Sequence, residues 1–336
     1  MNSIKLDINS GKNLLAFSAG IDSTALFFLM IDNNIDFDIA IVNYNQREQS
    51  KDEVIYATQL AHKYNKKCFI SEFTKNKQFS EKSARDFRYD FFDEIMEKEK
   101  YKSLLTAHQL NDKLEWFLMQ LTKGAGLTEL FGMEAKSIRN NYNLLKPLLN
   151  YSKQTLQNYL DDKNIKYFID ESNQDQKYKR NYFRHNFSDK LLDKYESGIS
   201  KSFQYLQKDI NSLNSNIEVE KFEQLNLYKF NGDTNLAIRI IDKDLKQRGV
   251  IISKATRDEI IKQKNIIVSH NIAISINETQ IYIAPVVKSN MEKKFKERCR
   301  VKKVPQNIRA YLSTLNDDML SSFFLYHSTG YLNLHD

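Results

Sequence analysis

The sequence predicts a doubly wound α/β domain with a mainly parallel sheet, then a helical connector, a small α/β domain and a basic C-terminal segment. Three observations carry that expectation. Over residues 13–121 short apolar runs alternate with longer stretches of helical period, the pattern of parallel βαβ units with helices on both faces of a sheet. Residues 191–213 then hold one unbroken helical pattern. After the polar triplet Asn214-Ser215-Asn216 the alternation restarts on a smaller scale.

Residues 13–17, apolar from Leu14 to Phe17, read as a buried strand, and residues 23–31 as the helix after it. Strand 39–42 leads to helix 51–64, strand 68–70 to helix 81–98, and strand 104–107 to helix 112–121. Residues 156–160 continue the helical pattern, and 170–175 are polar and turn-like. In the small domain helices are expected at 236–248 and 254–264, and strands at 272–276 and 280–284. Asn277-Glu278-Thr279 makes the hairpin turn between those strands. The corresponding division is 1–188, 189–215, 216–286 and 287–336. In open α/β sheets ligands bind beyond the carboxyl ends of the strands. The two most telling motifs sit at such ends: Ser18 after the first strand, His108 after the fourth.

At 336 residues and 41% hydrophobic content, the chain can bury the cores of one large domain and one or two smaller ones. No stretch approaches the roughly 20 apolar residues of a membrane helix, and residues 1–11 lack the apolar core of a signal peptide. The expectation is a cytoplasmic protein with no membrane partner. Cys68 and Cys299 are far apart and form no C-x-x-C pair, so zinc, iron–sulfur and redox-dithiol sites are unsupported. Both thiols are expected to serve packing or to lie at the surface.

Ser18-Ala19-Gly20-Ile21-Asp22-Ser23-Thr24 lies between an apolar strand and an amphipathic helix. Small residues there let backbone N–H groups approach an anion, and the helix N-terminus adds partial positive charge. A strand–helix turn with serine capping would have the same composition; the order of residues decides between them. That order resembles the S-G-G-x-D-S loop of the PP-loop family, the N-type ATP pyrophosphatases, which have a Rossmann-like fold. They split ATP between the α and β phosphates and hand AMP to an acceptor oxygen. The resemblance makes Ser18, Ala19, Gly20, Ile21, Asp22 and Ser23 the expected ATP-binding residues. Ala19 replaces the first glycine of the pattern, and its methyl group is tolerable if its φ is negative.

A second stretch, Ala107-His108-Gln109-Leu110-Asn111-Asp112-Lys113-Leu114-Glu115, resembles the A-H-H-x-D-D-Q-x-E of one branch of that family, the tRNA(Ile)-lysidine synthetases. Further blocks follow the same order: Asn43-Tyr44-Asn45-Gln46-Arg47 with Ser50, Ala84-Arg85 with Arg88-Tyr89, Lys123-Gly124-Ala125-Gly126-Leu127 with Gly132-Met133, and Lys146-Pro147-Leu148-Leu149. Last comes Asp170-Glu171-Ser172-Asn173 with Tyr178, Arg180-Asn181 and Arg184. Each block is weak alone; their order is the strong signal. Gln109, Asn111, Lys113 and Asn43-Tyr44 depart from the pattern, so no catalytic role passes to Gln109, Asn111 or Asn43. Trp116 is expected in the core.

The resemblance implies that lysine is joined to carbon 2 of the wobble cytidine of tRNA(Ile) with a CAU anticodon, using ATP and Mg²⁺. Adenylation turns the cytosine oxygen into a leaving group, and the amine of free L-lysine attacks. Asp112 and Glu115, three apart and so on one helix face, would hold lysine's amines. Arg180 or Arg184 would hold its carboxylate. Asp22 is the expected Mg²⁺ ligand and, with Asp112 and His108, the expected catalytic set; His108 would be the base. Without the ordered blocks, the same residues would read as first-turn acids, surface arginines and a buried histidine.

Between Lys288 and Arg309 nine Lys/Arg stand against two acids, so this segment carries the whole net charge of +7. Such a concentration suggests a polyanionic partner, and the alternative is a solvated, frayed tail. With the resemblance, Lys294, Lys296, Arg298, Arg300, Lys302 and Lys303 are expected to contact the tRNA backbone. Two rival functions are a tRNA-thiolating enzyme, which the unpaired cysteines disfavour, and a catalytically inactive tRNA-binding homologue, which the intact phosphate loop disfavours. Amide synthetases of the same superfamily lack the last block.

Overall fold

The computed structural model describes residues 6, 8, 11–45, 49–73, 80–169, 179–214 and 217–329. Gln46, Arg47 and the stretch Asp170-Glu171-Ser172-Asn173 to Tyr178 lie outside the described residues. The chain forms two compact units, Met1–Gln207 and Lys208–Asp336.

In the first unit β1 (Asn13–Ala16), α1 (Ile21–Asp32), β2 (Phe37–Asn43), α2 (Gln49–Lys63), β3 (Cys68–Glu72), α3 (Glu81–Glu99), β4 (Ser103–Leu105) and α4 (Leu110–Leu121) alternate as the apolar pattern requires. Then follow α5 (Leu127–Leu130), the hairpin β5 (Lys136–Arg139) and β6 (Tyr142–Leu145), α6 (Lys153–Asp162) and α7 (Lys179–Phe183). A π-helical turn (Arg184–Ser188) leads into α8 (Asp189–Asn214), which bends at Tyr195, where φ is −132°. The sheet order is β3-β2-β1-β4-β6-β5, parallel except for β5. Successive strand residues serve opposite faces. Leu15, Ile39 and Leu105 pack under α1, α2 and α6, while Leu14, Ala40 and Leu104 pack under α3. Because β1 borders both β2 and β4, the chain reverses its winding between β1 and β4, and a crevice opens at their carboxyl ends.

The second unit contains β7 (Val219–Phe222), β8 (Leu225–Lys229), α9 (Thr234–Gln247), α10 (Lys254–Gln263), β9 (Asn265–Val268), β10 (Ile272–Ile276) and β11 (Gln280–Pro285). The sheet is antiparallel in the order β7-β8-β11-β10-β9. The expected turn forms, with the Asn277 side-chain oxygen accepting the N–H groups of Thr279 and Gln280 at 2.9 and 2.7 Å. One sheet face packs under α9 through Ile240, Ile241 and Leu245 and under α10 through Ile260. The other is covered by α11 (Lys293–Val301), a 3₁₀ turn (Gln306–Ile308), α12 (Arg309–Leu312) and α13 (Asp317–Thr329). Cys299, Val304, Ile308, Leu312 and Phe323 are buried there, which overturns the frayed-tail alternative. Cys68 is half-buried in β3, so both thiols sit in packing positions.

Candidate active site

The phosphate loop leaves β1 at the crevice and enters α1. Ser23 folds its hydroxyl back, accepting the Ser18 N–H at 3.2 Å and lying 3.1 Å from the Ser18 hydroxyl. No side chain caps the N-terminus of α1, so its first N–H groups remain available to an anion. The Ala19 carbonyl accepts the Phe168 N–H at 2.9 Å, which pins the loop to the chain before α7. Ala19 itself has φ +59°. The negative φ under which its methyl was to be tolerated is not adopted; the left-handed backbone explains the family's glycine and leaves alanine under mild strain. Its methyl is fully buried in the core, where packing offsets part of that cost.

His108 leaves β4 beside this loop. Its Nδ1 lies 2.9 Å from the Thr106 hydroxyl. Burial lowers its pKa to about 4, with Lys146, Arg180 and Arg88 adding to the effect against Asp112. The imidazole is therefore neutral at pH 7. Gln109 caps α4, and its N–H donates to Asp112 Oδ2 at 3.1 Å. Asn111 bridges α4 to α8 through Asp189 at 2.9 Å and to α6 through the Lys153 N–H at 3.1 Å. These two departures from the family pattern have structural work. Lys113, a third departure, places its ammonium 4.8 Å from the Phe203 ring centre, and burial lowers its pKa.

Asp112 and Glu115 occupy one face of α4, as their spacing requires, and α7 with its π turn brings two arginines onto that face. Arg180 donates to Asp112 Oδ1 at 2.6 Å and to Glu115 Oε2 at 2.9 Å. Arg184 donates to both Glu115 oxygens, at 2.6 and 3.2 Å. Glu115 is fully buried and Asp112 nearly so. Burial alone would raise the Asp112 carboxyl; Arg180, His108, the Gln109 N–H and Arg184 outweigh it and hold the group below its usual range. The two carboxylates and two guanidinium groups thus form a charge-balanced cluster.

Asp22 has no such partner. Its Oδ1 is buried without a hydrogen bond. Burial first, and then the charge of Asp112, raise its pKa to about 7, against smaller opposing effects of Lys153 and Arg184. Asp22 therefore lies within electrostatic reach of Asp112, Glu115 and Arg184. Among the described residues no group of three His, Cys, Asp or Glu side chains could by itself enclose a metal.

The structure brings together Ser18, Ala19, Gly20, Ile21, Asp22, Ser23, His108, Asp112, Glu115, Arg180 and Arg184. Sequence reasoning missed Lys146, whose pKa burial lowers to about 8, and Lys153. Lys146 stands where the family block has arginine, and that was its only signal. Trp116 is corrected: it is partly exposed, and its ring N–H donates to the Glu129 carbonyl at 2.8 Å. A Cβ at Gly132 would meet that indole at 3.2 Å, so a side chain there would crowd the ring. The six basic residues expected to meet tRNA belong to the second unit, on and just after α11. Arg298 stacks on Phe324 at 4.0 Å, Arg300 pairs with Glu297 at 2.6 Å, and Lys302 donates to the Ser328 hydroxyl at 3.0 Å.

A family described as the PP-loop domain matches residues 2–191. A tRNA(Ile)-lysidine synthase of Campylobacter jejuni (strain RM1221) is 41% identical over 318 residues, which are 94% of this chain and 97% of that relative. Proteins of the same name from Helicobacter hepaticus and Helicobacter pylori (strain 26695) are 41% and 38% identical. Each alignment spans 91% of this chain, with 82% of the first relative and 90% of the second.

Proposed function

Since the chain belongs to the PP-loop family, in its tRNA(Ile)-lysidine synthase branch, we propose that it is a ligase forming a carbon–nitrogen bond between L-lysine and the wobble cytidine of tRNA(Ile) with a CAU anticodon. The observation that carries this reading is the meeting of an uncapped phosphate loop with the cluster of Asp112, Glu115, Arg180 and Arg184 at the winding reversal between β1 and β4. We take residues 1–188 as the catalytic part and the second unit, including the basic segment, as the part that contacts tRNA. The place of action is the cytoplasm, where tRNA, lysine and ATP meet.

ATP would lie with its pyrophosphate on Ser18, Gly20, Ile21, Asp22 and Ser23. The cytosine O2 attacks the α-phosphorus; an O–P bond forms, the α–β bridge breaks and pyrophosphate leaves. The buried, unpartnered Asp22 oxygen fits a Mg²⁺ ion completed by phosphate oxygens and water. When bound, that ion would neutralise charge on the leaving pyrophosphate. In the second step the lysine amine attacks carbon 2, a C–N bond forms and AMP leaves. His108, kept neutral by burial, would take the proton from the amine.

Lysine brings two positive charges and one negative. The four-residue cluster is already neutral, so lysine would enter by exchange: its carboxylate takes a guanidinium and one ammonium takes a carboxylate, while the attacking amine gives up its proton, leaving no buried charge unpaired. Incubating the purified protein with ATP, labelled lysine and total tRNA tests the proposal. Label in a nucleoside after digestion supports it; pyrophosphate release without label would indicate another acceptor chemistry.

A further inference from the structure

The stretch from Lys179 to Lys190 shows two different faces. Arg180 and Arg184 point into the charged cluster, and Asn181, Phe183 and Ser188 are buried. The exposed residues are Lys179, Tyr182, Phe187 and Lys190. Tyr182 and Phe187 leave 46% and 42% of their surface in solvent, with ring centres 5.9 Å apart at 67°. Residues five apart on an ordinary α-helix would diverge by about 140°. The π turn over Arg184–Ser188, with its i→i+5 pattern, brings the two rings to one side. Buried Phe183 contacts both, at 6.0 and 5.4 Å between ring centres, and fixes the pair.

We infer that Tyr182 and Phe187 form a stacking platform for unpaired bases next to the wobble cytidine, with Lys179 and Lys190 taking the adjoining phosphates; this rests on the proposed function. Charge favours RNA as the occupant. The stretch holds four Lys/Arg against the single acid Asp189. The two arginines are neutralised by Asp112 and Glu115. The two exposed lysines flank the rings, giving the combination of planar apolar faces and cations by which single-stranded nucleic acid is held. The same short element grips the catalytic carboxylates from its inner face, so an ordered loop on its outer face lies within a helix diameter, about 10–12 Å, of the charged cluster.

The test compares wild type, Tyr182→Ala/Phe187→Ala and the ring-preserving pair Tyr182→Phe/Phe187→Tyr in lysine incorporation. The alanine pair should raise the KM for tRNA about tenfold or more, with the KM values for ATP and lysine unchanged. The ring-preserving pair should restore wild-type values. 2-Aminopurine placed beside the wobble position in an anticodon stem–loop should change its emission on binding wild type and not the alanine pair. An unchanged tRNA KM in the alanine pair, or equal losses for all three substrates, would overturn the platform. If the alanine pair melts early, Tyr182→Gln is read instead by the same criteria. A wild-type protein that incorporates no lysine would count against the proposed function itself, and is seen before any variant is made.

Discussion

Asp22 sits in an environment far from that of an ordinary surface carboxyl. Its oxygen has no partner, and burial with the Asp112 charge lifts its pKa from 3.8 to about 7. A raised carboxyl stabilises the fold while it stays protonated. The unfolded chain ionises first, so that contribution is complete below about pH 4 and is lost as pH rises through about 7. Asp22→Asn should therefore be inactive in pyrophosphate release yet more heat-resistant, its advantage in Tm growing between pH 4 and pH 7. A Tm difference constant from pH 4 to pH 8 would sink this account. Ala19 gives a second case. Ala19→Gly relieves a left-handed φ worth about 1 kcal/mol but loses a buried methyl of about 0.8 kcal/mol, so Tm should barely move. Ala19→Val puts a β-branched side chain at φ +59° and should lower Tm steeply. Equal melting of all three would remove the strain argument.

At the scale of elements, the charged cluster joins α4 to α7 and its π turn. The spacing of Asp112 and Glu115 made their common face legible, because helix period is local. Their pairing with Arg180 and Arg184 was not, because those residues lie more than 60 positions away. Unpaired carboxylates would let Glu115→Gln lose only charge; the observed pairing changes that forecast. Glu115 holds both guanidinium groups, and breaking a buried pair costs about 3–5 kcal/mol. The Arg180 side chain is 40% exposed, which argues for the lower end. Glu115→Gln should thus lower Tm by several degrees as well as weaken lysine use. Asp112→Asn spares the Glu115 pairs and gives the cleaner functional reading: lysine use should fall roughly ten- to a hundredfold while tRNA-dependent pyrophosphate release changes little. Equal losses in both half-reactions would move Asp112 to ATP or Mg²⁺.

For the whole molecule, β6 and β8 were missed, whereas β1 to β4 were legible because parallel strands in such a sheet read as continuous apolar runs. The edge strands β5, β7 and β9 were not legible either, since Lys136–Arg139, Val219–Phe222 and Asn265–Val268 are short and keep exposed positions. Helix α11 was hidden for a related reason: a dense run of lysine and arginine masks the sparse apolar positions Phe295, Cys299 and Val304. Those positions decide how the basic segment must be tested. Deleting everything after Ala284 would strip Cys299, Ile308, Leu312 and Phe323 from one sheet face and should unfold the second unit. Weak tRNA binding by that truncation would report instability alone. Surface substitution is the usable route. Arg298, Arg300 and Lys302 already have partners within the fold. Lys293, Lys294, Lys296 and Lys303 are exposed and show no ion pair among the described residues. Replacing these four by alanine should leave Tm and ATP binding unchanged and weaken cognate and non-cognate tRNA alike, because phosphate contacts carry no sequence information. The slope of log K against log salt should flatten by about 0.7–0.9 for each phosphate that a lysine no longer neutralises. An unchanged slope with intact melting would show that α11 faces solvent in the complex.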